Sequence, residues 1–419
     1  TAFREKGELE KAIECYKKSI NIRENQAEVY NNIGVTFKLK GDLLSSVENY
    51  NIALKLKPEF VEAHNNLGIA LKDKGETEEA ILSYKKAISI DPQFVQVYNN
   101  LGIALKDTGD YAESLESFKD ALKIKPNYAE AYNNMGTSLN DIGKIKEATD
   151  CYKRALKINP NFYQALWNLH GTSKDIESAI SWLEKCLSVD SKHENAKLTL
   201  AALKAFQGDK KDFEKLLCSY LSEHPFVRSF KWTLSLEELP KLFFNRWYFF
   251  DFIVRNSELS RPFYEFGVWR GQSFKYLMKT FNKGYGFDTF DGLPEDWHNE
   301  KIGTYSSYGK TPEIKGGEFI VGKFEDILPQ FFDMPRPLAS LINFDADLYS
   351  STICALNHSK AIIDYETNLI FDEFLMNKNW EEDEFKALEE FCFRNNYSYK
   401  VTAVCFFTKQ LAVKLILQK

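Results

Sequence analysis

The chain has 419 residues, 44% hydrophobic and 15% aromatic, which is enough to bury the cores of two or three domains and excludes a single small one. The 60 acidic and 54 basic side chains give a formal net charge of -6 with no basic block, so nucleic acid is not expected as a principal partner. Seven cysteines (Cys15, Cys151, Cys186, Cys218, Cys354, Cys392, Cys405) are scattered without a CxxC pair or a Cys/His cluster, the pattern of reduced core thiols in a cytoplasmic protein.

From the start of the chain, glycines recur every 34 residues at Gly34, Gly68, Gly102 and Gly136, and in a second series at Gly7, Gly41, Gly75, Gly109 and Gly143. Pro58, Pro92, Pro126 and Pro160 close each unit, while Tyr50, Tyr84, Phe118 and Tyr152, with Ala53, Ala87, Ala121 and Ala155, hold fixed offsets between them. This pattern resembles the tetratricopeptide repeat, a pair of helices per unit. The first glycine lets two helices approach, and the second ends helix A. Beyond Asn161 the units degrade, but Ala179, Gly208 and Pro225 return to register if three residues are missing around position 172. An α-helical repeat solenoid is therefore predicted over 1–225. Thr1 falls within helix A of a unit, so a longer native polypeptide is expected.

The inner positions of helix A carry Asn32, Asn66, Asn100, Asn134 and Asn168, with Asn31, Asn65, Asn99 and Asn133 beside four of them. One reading is an amide ladder that hydrogen-bonds an extended peptide in the groove, an arrangement similar to the asparagine ladder of O-GlcNAc transferase. The other is that these asparagines serve the repeat architecture alone. Lys38, Lys72 and Lys106 recur as well and read as a solvated face. The two-carboxylate clamp of chaperone-binding repeats does not match.

After Pro225 the period ends, and aromatic residues crowd residues 226–258, predicted as a helical lead-in to a second domain. The most apolar stretch of the chain, Leu242 to Val254, is interrupted by Asn245, Arg246 and Asp251 and is not expected to span a membrane; no signal peptide is recognised. Apolar runs at 263–268, 284–288, 318–322, 339–345 and 367–372 alternate with helical stretches and predict an open α/β sheet over 259–419, with ligands at the carboxyl ends of its strands. Runs at 397–407 and 411–417 predict a closing antiparallel pair.

Chemistry-bearing residues gather at those strand ends. The segment EFGVWRGQS, from Glu265 to Ser273, places Gly267 and Gly271 at a strand-to-helix turn, where bare backbone admits a ligand and helix N–H groups can receive a carboxylate. One strand later, FDTFDGLPE carries Asp288, an acid placed to accept both hydroxyls of a ribose. The third strand leads to Glu325, the fourth to FDADLYSST with Asp345, and the fifth to FDEF with Asp372 and Glu373.

Together these segments resemble class I S-adenosylmethionine-dependent methyltransferases, within them the macrocin O-methyltransferase type and, more distantly, catechol O-methyltransferase. The resemblance covers roughly residues 240–419. It implies a Rossmann-like fold in which Glu265, Gly267 and Ser273 border the methionine part of S-adenosylmethionine, Asp288 holds its ribose, Glu325 lies near its adenine and Gly271 belongs to the same cofactor-binding set. It also implies a Mg2+ site at Asp345, Asp372 and Glu373. Three carboxylates at adjacent strand ends would repel one another without a hard cation, and such a cation would acidify a bound hydroxyl; helix capping or solvated loop ends are the alternative account of these acids. The macrocin type has aspartate where this chain has Glu373, and the lysine base of the catechol enzyme has no counterpart here. Asp345 itself and His298 are the candidate general bases.

Residues 294–317 form an insertion with Trp297, Tyr305 and several glycines and serines, read as an acceptor lid. The expected protein is thus a tetratricopeptide solenoid that recruits a protein or peptide, joined to a Mg2+-assisted O-methyltransferase acting on a hydroxyl of a sugar or glycan. A homo-oligomer is compatible with the sequence. The alternatives are a repeat adaptor with a vestigial second domain, and a methyltransferase acting on a peptide held in the groove.

Overall fold

The computed structural model describes residues 2–22, 26–298 and 300–418. The chain divides into two compact units, Thr1–Phe162 and Tyr163–Lys419. The boundary falls inside the repeat array, which makes it a different division from the change of composition at Pro225.

The first unit consists of paired helices. Full units pair a 13-residue helix A, such as Val61–Asp73 or Val95–Asp107, with a 14-residue helix B, such as Thr77–Ile90 or Tyr111–Ile124. The two glycine series do two different jobs. At Gly102 a Cβ would lie 2.6 Å from the Phe118 ring, so the absent side chain is what lets helix B lie against helix A. Gly75, at φ +91 with open space around it, supplies instead the left-handed conformation that stops helix A. Ala53, Ala87, Ala121 and Ala155 are all fully buried between neighbouring helices.

The second unit opens with helices that continue the repeat: Tyr163–His170, Ile176–Val189, Glu194–Phe206, Lys211–Leu217 and Pro225–Leu234. Its first helix is eight residues long instead of 13, and the missing turn accounts for the shift in register around residue 172. These helices pack on the sheet. Leu198, Ala202, Phe213, Val227 and Phe230 share one hydrophobic core with Phe266, Phe344, Phe371 and Phe406. Gly171 accommodates the Phe407 ring at 2.7 Å from where a Cβ would stand, and Asn245 donates to the Gly171 carbonyl at 3.2 Å. A helix that packs on a sheet no longer needs the side chains that fit a repeat, which is why the 34-residue signature fades here.

The sheet has eight strands: β1 (Lys241–Phe243), β2 (Phe263–Phe266), β3 (Gly284–Asp288), β4 (Gly317–Val321), β5 (Leu341–Phe344), β6 (Asn368–Phe371), β7 (Tyr397–Cys405) and β8 (Gln410–Leu417). Their order is β1-β7-β8-β6-β5-β2-β3-β4. Strands β4, β3, β2, β5 and β6 run parallel, and β8 is antiparallel to both β6 and β7. The mixed sheet and its terminal antiparallel pair lie where the apolar runs place them. The lead-in differs from expectation: between helices Pro225–Leu234 and Arg246–Arg255, residues 241–243 form β1, parallel to β7. Pro240 blocks a continuous helix, and the edge of β7 offers Lys241–Phe243 a partner that composition could not reveal. Among the described residues no helix is long and apolar enough to cross a membrane.

Candidate active site at the strand ends

Strand register builds the site. Phe287, Phe266, Phe344 and Phe371 stand side by side on β3, β2, β5 and β6, their rings stacked at 4.8, 5.4 and 4.9 Å between centroids. All four are fully buried and close the core. The next residue on each strand is Asp288, Gly267, Asp345 or Asp372, so the candidate residues form a second row directly beyond the aromatic one. The chain runs from β2 outward to β4 and then crosses to β5 on the other side of β2. This puts the reversal of strand order between Gly267 and Asp345, the place where open α/β sheets leave a crevice for ligands.

The two sides of that crevice touch. Gly267 has φ +88, and a Cβ on it would overlap the Asp345 carbonyl oxygen. Gly271, at φ +69, begins the helix Gln272–Leu277, whose six residues give it little dipole to offer a ligand carboxylate. Asp288 fastens the turn: one carboxylate oxygen accepts from the Val268 and Trp269 N–H groups at 2.7 Å each, and the other from Phe290 N–H at 2.7 Å. Glu265 is fully buried, with Oε1 accepting from Ser273 Oγ at 2.7 Å and Oε2 without a partner. Burial outweighs the Ser273 bond and pushes the Glu265 carboxyl up to about 8. Glu325 is exposed, in the first turn of the helix Phe324–Phe332.

At β5 and β6 the acids face one another. Burial, then repulsion from Asp372 and Asp347, holds Asp345 well above the usual carboxylate range. Burial and the charges of Glu373 and Asp372 do the same for Asp347. Glu384, the first residue of the helix Glu384–Asn395, is fully buried, and neither carboxylate oxygen has a hydrogen-bond partner; burial, then Asp347, Asp372 and Glu373, raises it too. Sequence spacing assigned Asp347 no role. The positive charges come from elsewhere in the unit. Arg246 Nη2 reaches Asp372 at 2.7 and 3.0 Å, and Lys409 Nζ reaches Glu373 at 2.7 Å.

As placed, Asp345, Asp372 and Glu373 do not fit a shared cation, because the oxygens of Asp372 and one oxygen of Glu373 are taken by these basic groups. Among the described residues no group of three or more His, Cys, Asp or Glu side chains is arranged to hold a metal ion. Near Gly267, by contrast, a buried Glu265 oxygen lacks a partner, the kind of orphaned atom that a bound cofactor would satisfy, while the space beside the Gly267 Cα is filled by the Asp345 carbonyl.

The insertion closes on itself. Leu293 N–H donates to Thr304 O at 2.8 Å and Gly303 N–H to Leu293 O at 2.9 Å, while Ser307 and Gly309 N–H both donate to Phe290 O. Tyr305 meets the Trp269 ring edge-on at 5.8 Å, and its hydroxyl is held above its ordinary value by burial and then by Glu300, Asp347, Glu373 and Asp345. His298, at φ +50, places Nε2 2.9 Å from Asp383 Oδ2. The structure thus pairs this candidate base with the start of the helix Glu384–Asn395, while Asp345 stays among the strand-end acids.

In the first unit the asparagines join repeat to repeat. Asn66 Nδ2 donates to Asn31 Oδ1 at 3.0 Å, Asn100 to Asn65 at 2.9 Å and Asn134 to Asn99 at 3.0 Å, each spanning 35 residues. Asn32 accepts from Arg4 at 3.4 Å. Asn168 lies in the second unit, partly buried in the helix Tyr163–His170. Lys38 and Lys72 pair with Asp73 and Asp107 at 3.0 and 2.9 Å, so these lysines form a ladder of ion pairs with the following repeat.

The TPR repeat family matches residues 1–41, 36–75, 70–109 and 104–139, and the tetratricopeptide repeat matches 129–162 and 163–193. No curated protein matches the chain. Similar solved structures include MamA, at 25% identity over 39% of this chain and 97% of that one with a TM-score of 0.35. YrrB, described as a TPR protein with an unusual peptide-binding site, has 22% identity over 46% and 99% with a TM-score of 0.37. PilW, a type IV pilus biogenesis factor, has 21% identity over 46% and 93% with a TM-score of 0.42. Residues 1–193 are tetratricopeptide repeats, with the matches up to residue 162 in the first compact unit and the last one folded into the second.

Proposed function

We propose that the second unit is a class I methyltransferase that transfers a methyl group from S-adenosylmethionine to a hydroxyl of a sugar or glycan, and that the repeats recruit a protein or peptide. The observation that carries this reading is the row Asp288, Gly267, Asp345 and Asp372 at the reversal of strand order. The segments that resemble methyltransferases in sequence are the ones that meet there.

The cofactor supplies an activated methyl group on a sulfonium, so the protein needs to bind, align and exclude water more than to form bonds. Gly267 lets the turn after β2 close against the Asp345 carbonyl, the free Glu265 oxygen accepts a hydrogen bond from the ligand, and Asp288 holds that turn in shape while keeping one Oδ1 lone pair for a ribose hydroxyl. Asp345, raised by burial and then by its acidic neighbours, is the group to take the proton of the acceptor hydroxyl. Trp269 and Tyr305 supply aromatic surface for a sugar ring, and the insertion keeps water out. The hydroxyl class of the acceptor rests on resemblance.

Calorimetric titration of S-adenosylmethionine into the full chain tests the reading. Micromolar binding that Asp288→Ala weakens at least tenfold would support it. Absence of binding would favour an adaptor whose repeats are the working part, since the family matches lie in the repeats. For the repeats, Asn66 and Asn100 each spend one amide N–H on the inter-repeat bond, and the second N–H and the carbonyl oxygen of each are groups with which an extended peptide can pair.

A further inference from the structure

We infer that Arg246 and Lys409 are the built-in counter-cations of the acidic strand ends, so that the pair Asp372 and Glu373 is neutralised from within the protein and does not recruit a divalent metal. The inference deepens the methyltransferase reading and rests on it for the role of these acids.

The argument is geometric. Asp372 is nearly buried, and both its oxygens are engaged: Oδ2 and Oδ1 receive Arg246 Nη2 at 2.7 and 3.0 Å, and Oδ1 also receives Gln410 Nε2 at 2.6 Å. Glu373 Oε2 receives both Lys409 Nζ at 2.7 Å and Asn377 Nδ2 at 3.0 Å, and Lys409 Nζ also donates to Asn377 Oδ1 at 2.7 Å. That triangle fixes the ammonium in place. A divalent ion needs these same oxygens at roughly 2.0–2.2 Å and would have to displace both cations.

The supports of the two basic residues point the same way. Arg246 is the first residue of its helix, and that start is set by Asn245, which is fully buried, accepts from Trp247 N–H at 3.1 Å and donates to the Gly171 carbonyl. Lys409 sits in the tight turn between β7 and β8 at φ +66, a left-handed conformation that a lysine adopts only at a cost, and from there its chain reaches Glu373. Gln410, the next residue, is fully buried and spent on Asp372. Two elements outside the five parallel strands are thus shaped to deliver one cation to each acid.

The test is a titration of Mn2+ into the chain of 419 residues, followed by the electron paramagnetic resonance of the free ion. The wild type is expected to bind no tighter than millimolar, and Lys409→Met and Arg246→Met are each expected to tighten binding at least tenfold by freeing the carboxylates. Micromolar binding by the wild type would overturn the inference, and so would weak wild-type binding that neither variant improves. Should Arg246→Met fail to fold, Lys409→Met, at a partly exposed turn, decides the matter alone. S-adenosylmethionine titrated into the same samples separates the two claims: its failure to bind bears on the methyltransferase reading, whereas the Mn2+ pattern bears only on the counter-cations.

Discussion

The two units treat buried polar groups in opposite ways. In the first, every inner asparagine pair is used by the repeat beside it, and the bonds recur at the spacing of the units. In the second, polar groups converge from distant parts of the chain, and several are left short: Glu265 Oε2 and both oxygens of Glu384 lack partners, and four acids are displaced far from their ordinary titration. A buried polar group without a partner costs stability, so a protein that keeps one retains it for something other than stability. Periodic, satisfied polarity marks architecture; convergent, unsatisfied polarity marks a site.

The largest effect that would sharpen this contrast is expected at Gly267. In Gly267→Ala the new methyl collides with backbone in a left-handed conformation, and the second unit should lose about 4 kcal/mol or more. All seven tryptophans lie between Trp167 and Trp380, so tryptophan fluorescence during urea unfolding reads this unit without the first. An unchanged midpoint would show that the strand ends are not in contact.

Next in size is a pH dependence confined to the second unit. Glu265 has a folded value of about 8 against an ordinary 4.5, so the folded state binds its proton more tightly than the unfolded chain does. The stability this contributes is fully present below about pH 4.5 and is lost as pH rises to about 8, with about 3 kcal/mol of the loss falling between pH 5.5 and 8. Tryptophan-monitored stability should therefore fall between pH 5.5 and 8, and Glu265→Gln should flatten the slope. A rise over that range would contradict the burial of this acid.

Glu384→Leu removes a buried carboxyl that nothing satisfies and three acids repel. It should raise the stability of the second unit by about 2 kcal/mol. If the site is catalytic, the same variant should lose methyl transfer, the opposite signs being the mark of a functional residue. Destabilisation would mean that Glu384 is structural.

The smallest effects are expected in the solenoid. Asn66→Ala and Asn100→Ala each remove one inter-repeat bond and should cost about 1 kcal/mol, seen as faster amide exchange in helices 61–73 and 95–107 with the tryptophan transition unmoved. No change in exchange would free the asparagines from the architectural role and leave peptide binding as their account.

Much of this was legible in the sequence. The 34-residue period carried the helical pairs because each unit meets only copies of itself, so one unit's requirements are written again in the next. Gly102 and Phe118 could be matched by offset alone. The strands of the second unit were legible as apolar runs, and four of them end on the dipeptides Phe287-Asp288, Phe266-Gly267, Phe344-Asp345 and Phe371-Asp372.

What the sequence could not give was adjacency. Only register aligns those four dipeptides into an aromatic row and a polar row, because hydrogen bonding between strands, and not distance along the chain, decides which residues stand side by side. The same holds for Arg246 and Lys409, which lie 126 and 36 residues from the acids they neutralise, and for β1, which exists because β7 offers it an edge. Local spacing determined the repeats and the strands; the charge balance of the candidate site was decided by tertiary structure, since an ion pair depends on distance in space and the sequence records only distance along the chain.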